Sequence, residues 1–398
     1  MTQEQTFRKY KPDAEMTIHD EVIAEAFNSP VDKIDDWSQR AGYENIRTQE
    51  IDGEFAGTCL MVPMGQYFGK DALPMCGVAG VAINPIFRSQ GVAKLMMSNL
   101  IKEMAATDAV ISTLYASTLP LYRSVGYEVS GSWYEVKMKF SEIPRIRDLE
   151  PNLRVLPMQK SDRHEVEALN EELTKNIHGS LKRGPYCWQR IFDSQHSKSR
   201  TYVVKDQQEN IQGTLSFIQL DGGKGSMWHK LKVNQFDAKT PEALKKLLHF
   251  LSSYGAMADE LTLLLQPDHP VLLLLPEQHW SIHIKERWLM RILSLKKALE
   301  SRVYYCVDDM RVNVRVIDEI LPENNGVFSF EYLSGQFRCT RAEKADVEMH
   351  IGALAPLFSG LYSASDLAIS GRLTGNESAV KKLDTLFLSP SPIMMDMF

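Results

Sequence analysis

The segment from Val81 to Lys94, in its context VAGVAINPIFRSQGVAKLMMSNLIKEM, commits the chain to one local geometry. An apolar strand runs into a short polar turn, RSQGVA, and then into a helix with apolar residues at Val92, Leu95, Met96 and Leu100. That spacing lines one helix face, so the helix must pack back on its strand, and the unit calls for an α/β sheet. N–H groups at a helix start lack intrahelical acceptors, and with the helix dipole they form a site for pyrophosphate. Gly91 lets the backbone approach such a ligand, small Ala93 permits tight packing, and Arg88 and Lys94 add positive charge. Taken alone, the same turn also suits a plain strand-to-helix connection.

A chain of 398 residues exceeds one ordinary hydrophobic core, which implies several domains. With 44% hydrophobic and 24% charged residues it has the composition of a folded soluble protein, and a formal net charge of -6 argues against a nucleic-acid partner. The five cysteines, at Cys59, Cys76, Cys187, Cys306 and Cys339, form no CxxC pair. They indicate neither a disulfide framework nor a zinc knuckle, and they fit a reducing cytoplasm. The opening MTQEQTFRKYKPD lacks the apolar core of a signal peptide. LTLLL (261–265) and VLLLL (271–275) are too short to span a membrane and read as buried strands.

Three regions follow. Residues 1–145 alternate strands and helices and end in the strand-like SWYEVKMKF. The polar, proline-bearing SEIPRIRDLEPN breaks that pattern, and a second α/β region, 146–287, begins with LRVLPM and a helix that Ser161 or Asp162 could cap. It continues through the hairpin-like TYVVKDQQENIQGTLSFIQ, a helix from Pro241 to about Ala258, and the strand LTLLLQP, so the first plan looks repeated. The third region, 288–398, is α+β: RVNVRVID, NNGVFSFEYLSGQFRCT and DVEMHIG read as strands, with Asn325-Gly326 as a turn signal between strands. Helices ALAPLFSG, YSASDLAISGRL and NESAVKKLDTLFL precede the tail SPSPIMMDMF.

In LYRSVGY a short helix carries Tyr122, five residues before Tyr127. A phenol with a pKa of about 10 stays protonated at neutral pH and can hand a proton to a departing thiolate. Either tyrosine also suits an amphipathic core position with its hydroxyl satisfied at the surface.

The pattern [R/Q]-x-x-G-x-[G/A] between strand and helix, with Arg88, Gly91 and Ala93 at its fixed positions, resembles the signature of the GNAT acetyltransferase superfamily. The resemblance implies acetyl-CoA as co-substrate. The strand Val81, Ala82, Ile83 would take the pantetheine arm like an added strand, and the turn Arg88, Ser89, Gln90, Gly91, Val92, Ala93, Lys94 would hold the pyrophosphate. Ser117 and Thr118 would lie near the thioester.

Across the whole chain, VAINPIFRSQGVAKLM, LYASTLPLYRSVGY, RWLMRILSLKKAL, MHIGALAPLFSG, LAISGRLTG and SPSPIMMDMF resemble the Eis (enhanced intracellular survival) acetyltransferases. That likeness implies two tandem GNAT-like domains, the second without a phosphate turn, then a sterol carrier protein-like domain, in a homohexamer. It implies Tyr122 as general acid and the terminal carboxylate, here on Phe398, as general base for a small-molecule amine. At solution pKa values the mismatch between a terminal carboxyl and an ammonium is roughly 9 kcal/mol, so burial must narrow it. Members that modify aminoglycosides carry a carboxylate just before the terminal residue. Here that position is Met397, with Asp396 one residue further back, which leaves aminoglycosides, polyamines and lysine-bearing substrates open as acceptors.

Other signals carry less. His279 and His283, four apart, could share a helix face, but without HExxH or a third ligand they indicate no metal. Asp32, Asp35 and Asp36 could attract a cationic substrate or merely mark a solvated helix start. Met394, Met395 and Met397 could line an apolar pocket or fill core space. The rival function is an apolar-ligand or lipid-binding protein, built on the sterol carrier-like region, with vestigial transferase domains.

Overall fold

The computed structural model describes residues 4–69, 71–147, 149–192, 199–222 and 227–398. They form two compact units, one of residues 1–131, 287–392 and 397–398, the other of residues 132–286 and 393–396.

The first unit opens with β1 (Gln5–Lys9), α1 (Pro12–Phe27), α2 (Ile34–Ala41), β2 (Ile46–Ile51), β3 (Glu54–Tyr67) and β4 (Ala72–Ile83). Next come α3 (Val92–Ala105), β5 (Ile111–Tyr115), α4 (Leu119–Arg123) and the start of β6 (Glu128–Lys139). Strands β1 to β4 pair antiparallel in sequence order, and β5 lies parallel to β4 because α3 carries the chain back across the sheet. Met96, Met97, Leu100, Ile101 and Met104 form the buried stripe of α3 against Cys59, Met61, Val78 and Leu114 of the strands. Leu95, expected in that stripe, is only half-buried. Pro12 opens α1, where its missing N–H costs nothing, and Asn28 ends it in the left-handed conformation.

The second unit holds the rest of β6, then β7 (Arg154–Pro157), β8 (Leu181–Lys182), β9 (Arg200–Lys205), β10 (Ile211–Asp221), β11 (His229–Ala238) and β12 (Ala258–Leu263). Its sheet runs β6-β12-β11-β10-β9-β7, with β11 and β12 parallel and joined by helix Pro241–Ser252. This repeats the β4-α3-β5 plan, but the helix start differs. Thr240 accepts a hydrogen bond from the Ala243 N–H at 3.1 Å, and Pro241 has no N–H to offer, so this turn has little left for a phosphate.

Several expectations are corrected here. The helix from Pro241 stops at Ser252 and a 3-10 turn finishes the segment at Ala256. VLLLL is no strand: Pro270–Leu274 is a 3-10 helix that buries Val271 and leaves Leu273 87% exposed. Proline removes a ladder donor there, and the His269 ring accepts from the Val271 N–H to start the turn. Neither Ser161 nor Asp162 caps helix Arg163–Thr174 with its side chain. A capping box between Gln159 and Asp162 instead starts the preceding 3-10 turn.

The chain re-enters the first unit within β13 (Trp280–Ile292), whose end pairs antiparallel with β5. After helix Leu295–Ser301 come β14 (Met310–Ile317), β15 (Gly326–Leu333), β16 (Gln336–Arg341), β17 (Val347–His350) and β18 (Leu373–Gly375), in sheet order β16-β15-β14-β17-β18. The tight turn is Ser334-Gly335, both at positive φ, between β15 and β16. Asn325-Gly326 instead follows a 3-10 turn, Pro322–Asn324, and Gly326 is the first residue of β15. Helices Ile351–Ser359, Ala364–Ile369 and Glu377–Phe387 complete this α+β layer. Fully buried Arg291 binds Asp318 through two 2.7 Å contacts and also donates to the carbonyls of Val125 and Ile292.

Candidate active site

The groove begins as a failure of pairing. β4 and β5 share only four register pairs, from Met75 opposite Ile111 to Val78 opposite Leu114, yet β4 runs on to Ile83. The cause lies on the other side of β4. Thr58 faces Ala82 and Leu60 faces Ala79, so Gly80 and Val81 together oppose the single Cys59, which is a bulge. Gly80 sits at φ 56°, and a Cβ there would come within 2.7 Å of the Trp37 ring, so glycine is required twice over. Beyond Val78, among the described residues, the β5-facing edge of β4 is unpaired, and Val81, Ala82 and Ile83 lie along it. Such an edge suits an extended amide-bearing chain added as a strand.

At the end of β4, Asn84 caps a 3-10 turn, Pro85–Phe87, and Arg88 leads into the phosphate turn. Ser89 and Gly91 have positive φ, and the space where a Gly91 side chain would stand is empty. The bond from the Leu95 N–H to the Gly91 carbonyl, 3.1 Å, opens α3, so the N–H groups of Val92, Ala93 and Lys94 precede the helical ladder. Ser89, Gln90, Gly91 and Lys94 are exposed. Arg88 is turned aside: its Nε donates to the Ile83 carbonyl at 3.3 Å and its Nη2 pairs with Glu25 at 3.1 Å. Both partners are about half exposed, so the pair contributes little and is readily exchanged for an anion.

Ser117 and Thr118 fall in the loop after β5, which ends at Tyr115, and Thr118 precedes α4. Tyr122, on α4, is buried among Cys59, Val78, Met96 and Leu114. Burial, and secondarily Cys59, pushes its phenol up to about 12. Tyr127 stands edge-on to it with ring centroids 6.1 Å apart. Its hydroxyl is satisfied in the interior rather than at the surface, by Ser112 at 2.7 Å.

Phe398 is 7% exposed. Its ring lies against Gly77, where a Cβ would be 2.6 Å from the ring, and 6.0 Å from the centroid of Tyr115. Gly77 pairs with Thr113 one step before the β4–β5 ladder ends, so residue 398 sits where the two strands part. Sequence reasoning missed Gly77, Gly80 and Trp37. Two glycines in the strand pattern CGVAGVAI were the available signal, since interior strand glycines mark bulges or close approaches.

Other candidates are placed elsewhere. Asp35 accepts from Tyr43 and Gln39, and Asp36 pairs with Arg40 at 3.0 Å, so both serve α2. Asp32 is exposed in the preceding 3-10 turn. His279 and His283 share no helix. His279 precedes β13 and meets Glu142 at 2.9 Å, and His283 on the strand meets Ser281 at 2.8 Å. Met394 is fully buried, Met397 is half exposed, and Asp396 pairs with Arg183 at 2.9 Å.

A bulged β4 parting from β5, with an open helix start at its end, defines a GNAT acyltransferase fold, and the comparisons agree. Residues 6–130 and 179–292 each match an acetyltransferase (GNAT) domain family, and residues 295–395 match the sterol carrier protein domain family. The chain is similar to N-acetyltransferase Eis of Mycobacterium tuberculosis, 24% identical over 343 residues, 82% of this chain and 81% of that one. A GCN5-related N-acetyltransferase from Anabaena variabilis superposes with a TM-score of 0.91 at 26% identity, over 99% of this chain and 100% of that one. Eis1 from Mycobacterium abscessus gives 0.80 at 19%, over 99% and 100%. The chain thus carries two GNAT acetyltransferase domains and a sterol carrier protein domain, and along most of its length it is similar to the Eis N-acetyltransferases. As in GNAT domains generally, acetyl-CoA is the co-substrate and an amine the acceptor.

Proposed function

We propose that acetyl transfer runs by direct attack of a primary amine on the thioester, with Tyr122 as general acid and the carboxylate of Phe398 as general base. Bound along Val81, Ala82 and Ile83 and over the turn from Arg88 to Lys94, acetyl-CoA would bring its thioester to the point where β4 and β5 part, near Ser117 and Thr118. The amine lone pair forms the new C–N bond, the C–S bond breaks, and Tyr122 gives its proton to the departing sulfur. The amine proton passes to the Phe398 carboxylate, directly or through one water.

The observation that carries this reading is the seat of Phe398 on Gly77 at the end of the β4–β5 ladder. A phenol held at about 12 keeps its proton until sulfur takes it. The test is a chain extended by several residues beyond Phe398, together with Tyr122→Phe. Both are expected to bind acetyl-CoA normally in titration calorimetry and to lose at least a hundredfold in kcat. Full turnover in the extended chain would remove the base.

For the acceptor, the reading covers aminoglycosides, polyamines and lysine-bearing peptides, to be ranked by kcat/KM over a panel. The cysteine pattern supports a cytoplasmic location, and the family resemblance supports a homohexamer and domain divisions at residues 145 and 287. Sedimentation equilibrium and limited proteolysis test the last two.

A further inference from the structure

Three lysines of the second unit converge on one carboxylate. Glu135, on β6, takes Lys137 of the same strand at 3.3 Å and Lys232 of β11 at 3.5 Å. Lys285, on β13, reaches the same place: its side chain is hydrogen-bonded to that of Lys232, and its Nζ lies 3.6 Å from the centre of the Trp133 ring. Among the described residues no carboxylate comes within ion-pair distance of Lys285, and Glu135 and its sequence neighbour Glu286 act on it only at longer range.

A hydrogen bond between two amines needs a lone pair on one of them, so the two lysines cannot both be fully charged. Lys232 keeps a carboxylate and Lys285 does not, which makes Lys285 the amine that gives up its proton. Burial, and after it the charge of Lys232, disfavour the Lys285 ammonium. The two glutamates and the π face of Trp133 pull the other way without prevailing, and Lys285 comes down to about 8. At pH 8 an ordinary lysine with a pKa of about 10.4 has about 0.4% of its amine free, against about half at Lys285, a difference of roughly a hundredfold in available nucleophile. Trp133 is buried, but Lys285 itself is only half-buried, so a reagent can reach the amine.

We propose that Lys285 is a modification site, whose amine takes an acetyl group directly from free acetyl-CoA, the co-substrate that GNAT domains already use. The Nζ lone pair attacks the thioester carbonyl, the new C–N bond forms as the C–S bond breaks, and the proton lost from nitrogen goes to the released CoA thiolate. The product is an uncharged amide, which leaves Lys137 and Lys232 alone with Glu135. Neither Tyr122 nor Phe398 takes part, so this step stands or falls apart from the mechanism proposed above.

The experiment is incubation of the full chain with acetyl-CoA, followed by peptide mass spectrometry that reads acetyl occupancy at each lysine against time. At pH 8 Lys285 is expected to be acetylated at least tenfold faster than the median lysine of the same digest. Its rate should level off above about pH 9, where ordinary lysines continue to climb. Lys232→Gln removes the neighbouring charge and should slow acetylation of Lys285 at least threefold. If that variant does not fold, the wild-type chain still decides the matter. A Lys285 rate within twofold of the median lysine, or faster labelling of Lys232 than of Lys285, overturns the assignment, as does an unchanged Lys285 rate in folded Lys232→Gln.

Discussion

Gly77 and Gly80 stand three residues apart on β4 and exclude a side chain for different reasons. At Gly80 the backbone is left-handed and Trp37 fills the space, whereas at Gly77 the space is taken by Phe398 and Met64. Gly77→Ala therefore tests the seat of Phe398 without altering the residue itself. It is expected to lower kcat tenfold or more while acetyl-CoA still raises the melting temperature as in wild type. A wild-type kcat would show that the ring need not lie there. At this scale the sequence was informative where chemistry sits in side chains. The short helix that carries Tyr122 and the open helix start at RSQGVA were legible because both follow local strand-turn-helix patterns. Gly77 and Trp37 were not, since their role is to leave or fill space for residues distant in the chain. Arg88 was legible as a cation, but its partner Glu25 lies 63 positions earlier and no local pattern joins them.

Among the elements, strands and helices were readable from period, and their ends were less so. VLLLL failed because aliphatic content was taken for a strand while His269-Pro270 sets a capped 3-10 turn. That cap titrates. Burial lowers the His269 imidazole to about 4, against the opposing pull of Asp268. A folded pKa below the unfolded one means the contribution to stability is complete above pH 6.5 and drains as pH falls toward 4, where the unfolded chain takes up the proton first. His269→Asn keeps a cap acceptor without the charge. Its stability, from urea unfolding, should change less than that of wild type between pH 6.5 and 4; an identical slope would exclude His269. The Arg291–Asp318 pair joins β13 to the segment after β14, and the turn at Val125 accepts from the same guanidinium. Removing one partner of a buried pair strands the other charge, so Asp318→Asn should cost about 3–5 kcal/mol in chemical denaturation. A loss below about 1 kcal/mol would mean that water replaces the carboxylate.

For the molecule as a whole, the repeated β-α-β order was visible in the sequence, while the difference between the two helix starts was half visible. RSQGVA advertises open N–H groups, and the Thr240-Pro241 pair closes the equivalent place with a cap and a missing donor. The Anabaena variabilis chain keeps this architecture at 26% identity. The parting of β4 from β5 helps to explain how. The edge that β4 leaves unpaired is main chain, set apart by a bulge. A competitive inhibitor that bonded to that edge through amides would therefore present few positions at which substitution could confer resistance. The same property would deny it selectivity among relatives, so discrimination would have to be sought at the tail.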